Sequence, residues 1–265
     1  MQQPHNYYFT FHLNQNKTFS LTKNNIFNIM ILEENMFDNY ALKYPIHQDL
    51  LDKKFDKVKE AINADNINMP DEAGNTFLHL SAQRGFTEMA KFLIDNGASI
   101  NAKSQNQYTP LNDSTFYGHL EIAKMLIASG ANVNETFEWG QSILHAAAYQ
   151  GHYEISKLLI DNGAEINTSR VDGTSALHKA AMKGSLETLK LLIDSGINVN
   201  QKTESGKTPL HIAVNAGRID YVELLVKAGC DIYARTNDNE TILDIAKENQ
   251  NENMINYIEN LFKPE

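Results

Sequence analysis

The sequence predicts an all-α fold, a solenoid of stacked helix-turn-helix units with protruding hairpin loops, and three observations carry that expectation. The first is a fixed period: the tetrads Thr76-Phe77-Leu78-His79, Thr109-Pro110-Leu111-Asn112, Ser142-Ile143-Leu144-His145, Ser175-Ala176-Leu177-His178 and Thr208-Pro209-Leu210-His211 begin 33 residues apart. Thr241-Ile242-Leu243-Asp244 keeps the same step. The second is a pair of glycine series on that ruler, Gly85, Gly118, Gly151, Gly184 and Gly217, then Gly97, Gly130, Gly163, Gly196 and Gly229. The third is an apolar stripe at helical spacing between the two glycines of each unit, as in Ile155, Leu158, Leu159 and Ile160. One such unit cannot bury its own apolar face, so the units must stack, each against its neighbours.

Taken along the chain, residues 1–44 lie outside the period. Tyr7, Phe9, Phe11 and Leu13 alternate with polar neighbours and Phe19 and Leu21 resume the alternation, the pattern of a small β-hairpin. Ile26, Met30, Met36, Phe37 and Tyr40 place an amphipathic helix after it. This extension is expected to pack over the first repeats. Residues 45–70 read as a shortened, divergent capping repeat over Asp49 to Asn68, with Leu50, Leu51, Phe55, Val58 and Ile62 turned to the stack. Five repeats follow at 71–103, 104–136, 137–169, 170–202 and 203–235. In each, Thr or Ser caps the first helix and proline, where present, supplies the right φ at the next place. Small residues such as Ala146-Ala147-Ala148 admit a neighbouring helix closely, and a glycine such as Gly151 ends the helix. The second helix stops at a pair such as Asn162-Gly163. Residues 236–265 form a degenerate C-terminal cap, whose polar run from Glu248 to Asn253 suits a terminal unit.

The Thr-Pro-Leu-His motif at this period resembles ankyrin repeats, from Asp71 to about Leu261. The resemblance implies a non-enzymatic scaffold that binds a protein through a concave face, made by the hairpin tips and the exposed ends of the first helices. It also implies that the motif histidines hydrogen-bond within and between repeats. By register, the binding places of the second and third repeats concentrate aromatics: Tyr108, Phe116, Tyr117, Trp139 and Tyr149, with Glu138 among them and Met182 beside them. Buried aromatic anchors dominate interface energies. These seven residues are the candidate partner-binding site.

Other chemistry is excluded residue by residue. Ser205-Gly206-Lys207-Thr208 matches the tail of a phosphate-binding loop, but the motif requires glycine where Gln201 stands. His79, His145, His178 and His211 occur one per repeat with no second ligand nearby, so no metal is expected. Cys230 occupies the small-residue place of Ala98, Ala131 and Ala164, which suits an inert thiol. The acidic residues form no pair against an apolar pocket. No catalytic residue and no cofactor are expected.

With 23 basic against 33 acidic residues the formal charge is -10, and no run of Lys and Arg offsets it, so nucleic acid is not an expected partner. Apolar runs of four residues are far too short to span a membrane, and the first ten residues have no signal-peptide pattern. A single cysteine precludes an intrachain disulfide and fits a reducing compartment. The expectation is a monomer in the cytoplasm, docking a protein with a basic surface that associates faster at low salt. Thirty asparagines and four arginines suggest an AT-rich genome. Two alternatives follow: an effector delivered into a host cell by an intracellular bacterium or parasite, without a cleavable signal peptide, or an inhibitor or immunity protein that neutralises a toxin or enzyme.

Overall fold

The computed structural model describes residues 45–263, and the expected hairpin and helix of the extension lie outside the described residues. Each unit is a pair of short helices. In chain order these are α1 (Pro45–Leu51) with α2 (Phe55–Ala61), α3 (Phe77–Arg84) with α4 (Thr87–Asp95), and α5 (Pro110–Phe116) with α6 (Leu120–Ala128). A strand pair, β1 (Thr136–Phe137) and β2 (Gln141–Ser142), precedes α7 (Ile143–Gln150) and α8 (Tyr153–Asp161). Then come α9 (Ala176–Met182) with α10 (Leu186–Asp194), α11 (Pro209–Asn215) with α12 (Ile219–Lys227), and α13 (Ile242–Glu248) with α14 (Glu252–Leu261). The hairpin loops, called fingers below, precede the first helix of each unit from α3 onward.

The first helices are core on nearly every side, with Phe77, Leu78, Leu111, Leu144, Leu177 and Leu210 buried. The second helices bury one stripe, such as Met89, Ala90 and Leu93 in α4 or Ile155 and Leu159 in α8, and turn charged residues to water. Ion pairs there, such as Lys91 to Asp95 (2.7 Å), are exposed and add little stability. Close packing of the first helices depends on small residues. A Cβ at Gly184 would stand 2.3 Å from the Ala148 carbonyl oxygen of the preceding repeat and 2.8 Å from Ala180 Cα. Gly184 is thus needed for close approach. Gly85 and Gly151 instead end their helices in the left-handed region, at φ 70° and 75°.

The recurring histidine joins consecutive units. His79 Nδ1 accepts from the Thr76 N–H (3.1 Å), and His79 Nε2 donates to the Tyr108 carbonyl of the next finger (3.0 Å). His145 repeats this with Ser142 and Thr174, and His178 with Ser175 and Lys207. A ring nitrogen that accepts from a backbone N–H carries no proton, so these imidazoles are neutral, and burial holds each near about 4. On another edge, His119 and His152 donate to the Gln83 and Phe116 carbonyls, and the Tyr221 hydroxyl takes this role toward Gly184. A third set of ties uses asparagine: Asn134 Oδ1 accepts from the Glu165 N–H (2.8 Å) and Asn167 Oδ1 from Asn198 (2.9 Å).

The N-terminal unit opens at Pro45, and the part of it ahead of Asp49 carries a motif that the sequence reading did not single out. Pro45-Ile46-His47 opens α1 as a further copy of the motif, 32 residues before Phe77-Leu78-His79 in sequence. His47 is fully buried, stacks on Phe77 (4.2 Å) and bonds the Met69 carbonyl (3.1 Å). The one-residue shortfall hides this copy from a strict ruler. Leu50 and Val58 are fully buried, whereas Leu51, Phe55 and Ile62 are half-buried at the end of the stack.

Candidate functional site

The fingers and the first helices build the candidate face, and the third finger departs from its neighbours. Fingers one, two, four, five and six each turn with one residue of positive φ at the same register, Gly74, Gln107, Gly173, Gly206 and Asn239. In the third, Trp139 (φ 63°) and Gly140 (φ 71°) are both left-handed, and the Gln141 N–H returns to the Glu138 carbonyl. That is the geometry of a type I′ turn, which ordinarily selects Asn-Gly. A tryptophan there costs of order 1–3 kcal/mol of backbone strain.

The departure removes a tie. Fingers are linked by backbone bonds from Gln105 N–H to the Ala73 carbonyl (3.0 Å), Val171 to Trp139 (2.9 Å), Glu204 to Asp172 (2.9 Å) and Asn237 to Ser205 (3.0 Å). Among the described residues the equivalent bond from Glu138 to Asn106 is absent. A second tie is missing at the same junction. Asn112 stands at the motif position and its Oδ1 accepts from the Thr109 N–H (2.9 Å), but its shorter side chain leaves Nδ2 buried without a partner.

The candidate residues occupy five places on the fingers and helix ends. Tyr108 packs edge-on against Phe137 (4.9 Å) at the base of the second and third fingers. Phe116 and Tyr117 meet edge to face at the end of α5 (5.2 Å), and Tyr117 stacks on His119. Tyr149, at the end of α7, lies under two ammonium groups, Lys183 at 4.9 Å and Lys179 at 5.5 Å from its ring centroid. Trp139 is 61% exposed on the third finger with Glu138 exposed beside it, and Met182 is 45% exposed at the end of α9. Neither Trp139 nor Met182 joins a ring contact with the others.

The structure adds three functional candidates that residue type at the register positions did not single out. Val171 is 63% exposed on the finger bonded to the Trp139 carbonyl, which extends the apolar tip. The other two emerge from one register position, occupied by Leu80, Asp113, Ala146, Lys179, Ile212 and Ile245. Asp113 is only 6% exposed, its Oδ2 has no partner, and burial holds its carboxyl well above the usual range despite a hydrogen bond from Gln83. Lys179 is half-buried, and burial with the Arg170 charge brings its ammonium down to about 8. A charge where sister repeats carry aliphatic side chains is the signal that could have found both.

Among the described residues no group of three or more His, Cys, Asp or Glu could hold a metal ion, and no helix is long and apolar enough to cross a membrane. Cys230 is free and buried, and burial pushes its thiol up to about 11.

Comparison with known proteins agrees with the periodicity. A family model described as ankyrin repeats (3 copies) matches residues 46–137 and 129–203, and one described as ankyrin repeats (many copies) matches residues 192–246. A homolog of transient receptor potential cation channel subfamily A member 1 from Caenorhabditis elegans is 51% identical over 43 residues, 16% of this chain and 4% of that protein. Ankyrin repeat domain-containing protein 13C-B of Xenopus laevis is 31% identical over 68 residues, 26% of this chain and 13% of that protein. The putative ankyrin repeat protein FPV230 of fowlpox virus is 35% identical over 74 residues, 28% of this chain and 38% of that protein. The chain thus spans well under half the length of each of these curated relatives.

Proposed function

The chain belongs to the ankyrin-repeat family, and from that premise we propose that it is a non-enzymatic module that docks a partner protein through the concave face of fingers and first helices. Ankyrin repeats are generally protein-protein interaction modules. The observation that carries the reading is Trp139. It is the chain's single tryptophan, it is exposed on a finger, and it holds a backbone conformation that opposes its own stability. Strain of this kind clusters at binding sites. Tyr108, Phe116, Tyr117, Tyr149 and Met182 complete the contact surface, with Glu138 at its acidic edge.

The array is held by backbone and histidine ties and presents its side chains already placed, so docking sacrifices little entropy. The net charge of -10 and the exposed Glu138 favour a partner that is basic where it meets the third finger. A free, buried thiol supports a reducing, cytoplasmic setting. The test is capture of partners from lysate by the whole chain and by a Trp139→Ala, Tyr149→Ala double variant. Loss of a specific partner in the variant supports the reading, and identical captured proteins from both would sink it. The on-rate of that partner should fall as salt rises.

A further inference from the structure

The face is not uniformly acidic. Where the fourth repeat meets the third, three cations gather. Lys179 and Lys183 both lie over the Tyr149 ring, at 5.5 and 4.9 Å, and the Arg170 guanidinium from the base of the fourth finger shares the field of Lys179. One acid is present, Asp172, and its carboxylate is 3.9 Å from Arg170, too far for a strong fork pair. Two donors are left over. Arg170 Nε is buried with no hydrogen-bond partner, and the Lys179 ammonium makes no hydrogen bond or ion pair among the described residues. Lys183 donates to Gln150 Oε1 (3.0 Å), which fixes its side chain across the repeat boundary.

We propose that Arg170, Lys179 and Lys183 form a subsite for a phosphoryl group carried on a side chain of the partner protein. The inference rests on the partner-docking reading of this face and deepens it by naming one group the partner presents. Charge decides between anions. Three cations less Asp172 leave two positive charges, and a phosphorylated side chain brings about 1.5 to 2 negative ones with three acceptor oxygens. A carboxylate would leave one charge unmatched in a half-buried place where mismatch is costly. The oxygens would pair with the exposed part of the Arg170 guanidinium and with the Lys179 ammonium together, while Tyr149 provides an apolar floor. The subsite adjoins the docking residues along the chain: Arg170 precedes Val171, whose N–H bonds the Trp139 carbonyl, and Lys183 follows Met182. In a chain with ten surplus negative charges, Lys179 at a register position that is otherwise mostly aliphatic is hard to account for by stability alone.

The experiment titrates the whole chain with phenyl phosphate at constant ionic strength, with benzoate and inorganic phosphate as controls. It follows the Lys179 side-chain resonance by NMR and affinity by calorimetry. Phenyl phosphate should bind at least about tenfold tighter than either control and raise the titration midpoint of Lys179 from about 8 by about one unit. Lys179→Met and Arg170→Gln should each weaken it by about tenfold or more, and Lys157→Gln, exposed on α8 away from the subsite, should leave it unchanged. Lys183→Gln, at an exposed helix end, gives the same readout without a change to the core. Benzoate binding as tightly, a Lys179 midpoint that does not move, or variants that bind like the parent would each overturn the subsite. Inorganic phosphate binding as tightly would assign it to a free anion and overturn the partner as source. None of these outcomes depends on Trp139, so the docking reading stands or falls separately.

Discussion

Acidification from pH 7 to pH 4.5 should destabilise the array steeply, and the buried histidines set the slope. His79, His145 and His178 are at most 1% exposed and neutral, and burial lowers each from about 6.5 in the unfolded chain to about 4. Between those values the unfolded chain binds a proton at each site and the folded chain does not, so stability is full above about pH 6.5 and is lost as pH falls toward 4. Three such sites contribute about three protons near pH 5. Asp113 opposes them. Its carboxyl is raised, so it stays protonated in the folded state over the window where the unfolded chain releases that proton, which returns about one. A net of about two protons gives a slope near 3 kcal/mol per pH unit, large against a total of about 5–15 kcal/mol. His47, His152 and His211 are lowered as well and can only steepen it. The assay is urea unfolding at half-unit steps of pH, read by circular dichroism. A flat profile between pH 6.5 and 4.5, or stability that rises on acidification, would refute the neutral-histidine ladder.

Four further outcomes follow from the same structure. Gly184→Ala should lower stability by about 2–3 kcal/mol, since its Cβ meets backbone on two sides, whereas Gly163→Ala, with open space around it, should cost about 1 kcal/mol from its φ of 86° alone; thermal unfolding compares them. Asn112→His should gain about 1 kcal/mol in denaturant unfolding by restoring the missing link to the third finger. Asp113→Leu should gain about 1–2 kcal/mol at pH 7 and add about one proton to the acid slope, measured in the same pH series. Trp139→Gly should raise the unfolding midpoint by relieving strain worth about 1 kcal/mol while abolishing partner capture, a gain in stability coupled to a loss of binding.

The repeating frame was legible because each of its parts recurs. Thr76 and His79 announce a capped helix and its link to the next finger, and the corresponding Ser175 and His178 say so again, so a weak local signal becomes strong by repetition. Pro45-Ile46-His47 escaped because one missing residue shifts it off the ruler, although its histidine is buried like the others. The site was legible only as residue types at register positions. Register places Tyr149 at a helix end, but the approach of Lys179 and Lys183 over its ring depends on side-chain directions across a repeat boundary. Nor does spacing reveal that Trp139 is left-handed, because Gly140 alone fills the turn position the other fingers use. Asp113 and Lys179 could have been found as departures from an aliphatic column.

The junction of the second and third repeats lacks both finger-side ties, whereas every other junction between repeats keeps at least the backbone bond; the Asn134 bond to Glu165 and the His152 bond to Phe116 remain. In a linear array, cooperativity passes only between neighbours, so one weak coupling sets where a single transition divides into two. Amide exchange would then report two protected blocks meeting between Asn112 and Gln141, and a load applied along the solenoid would part it there first. A partner spanning Phe116 and Trp139 crosses that boundary, acts as a splint, and makes the two blocks melt as one.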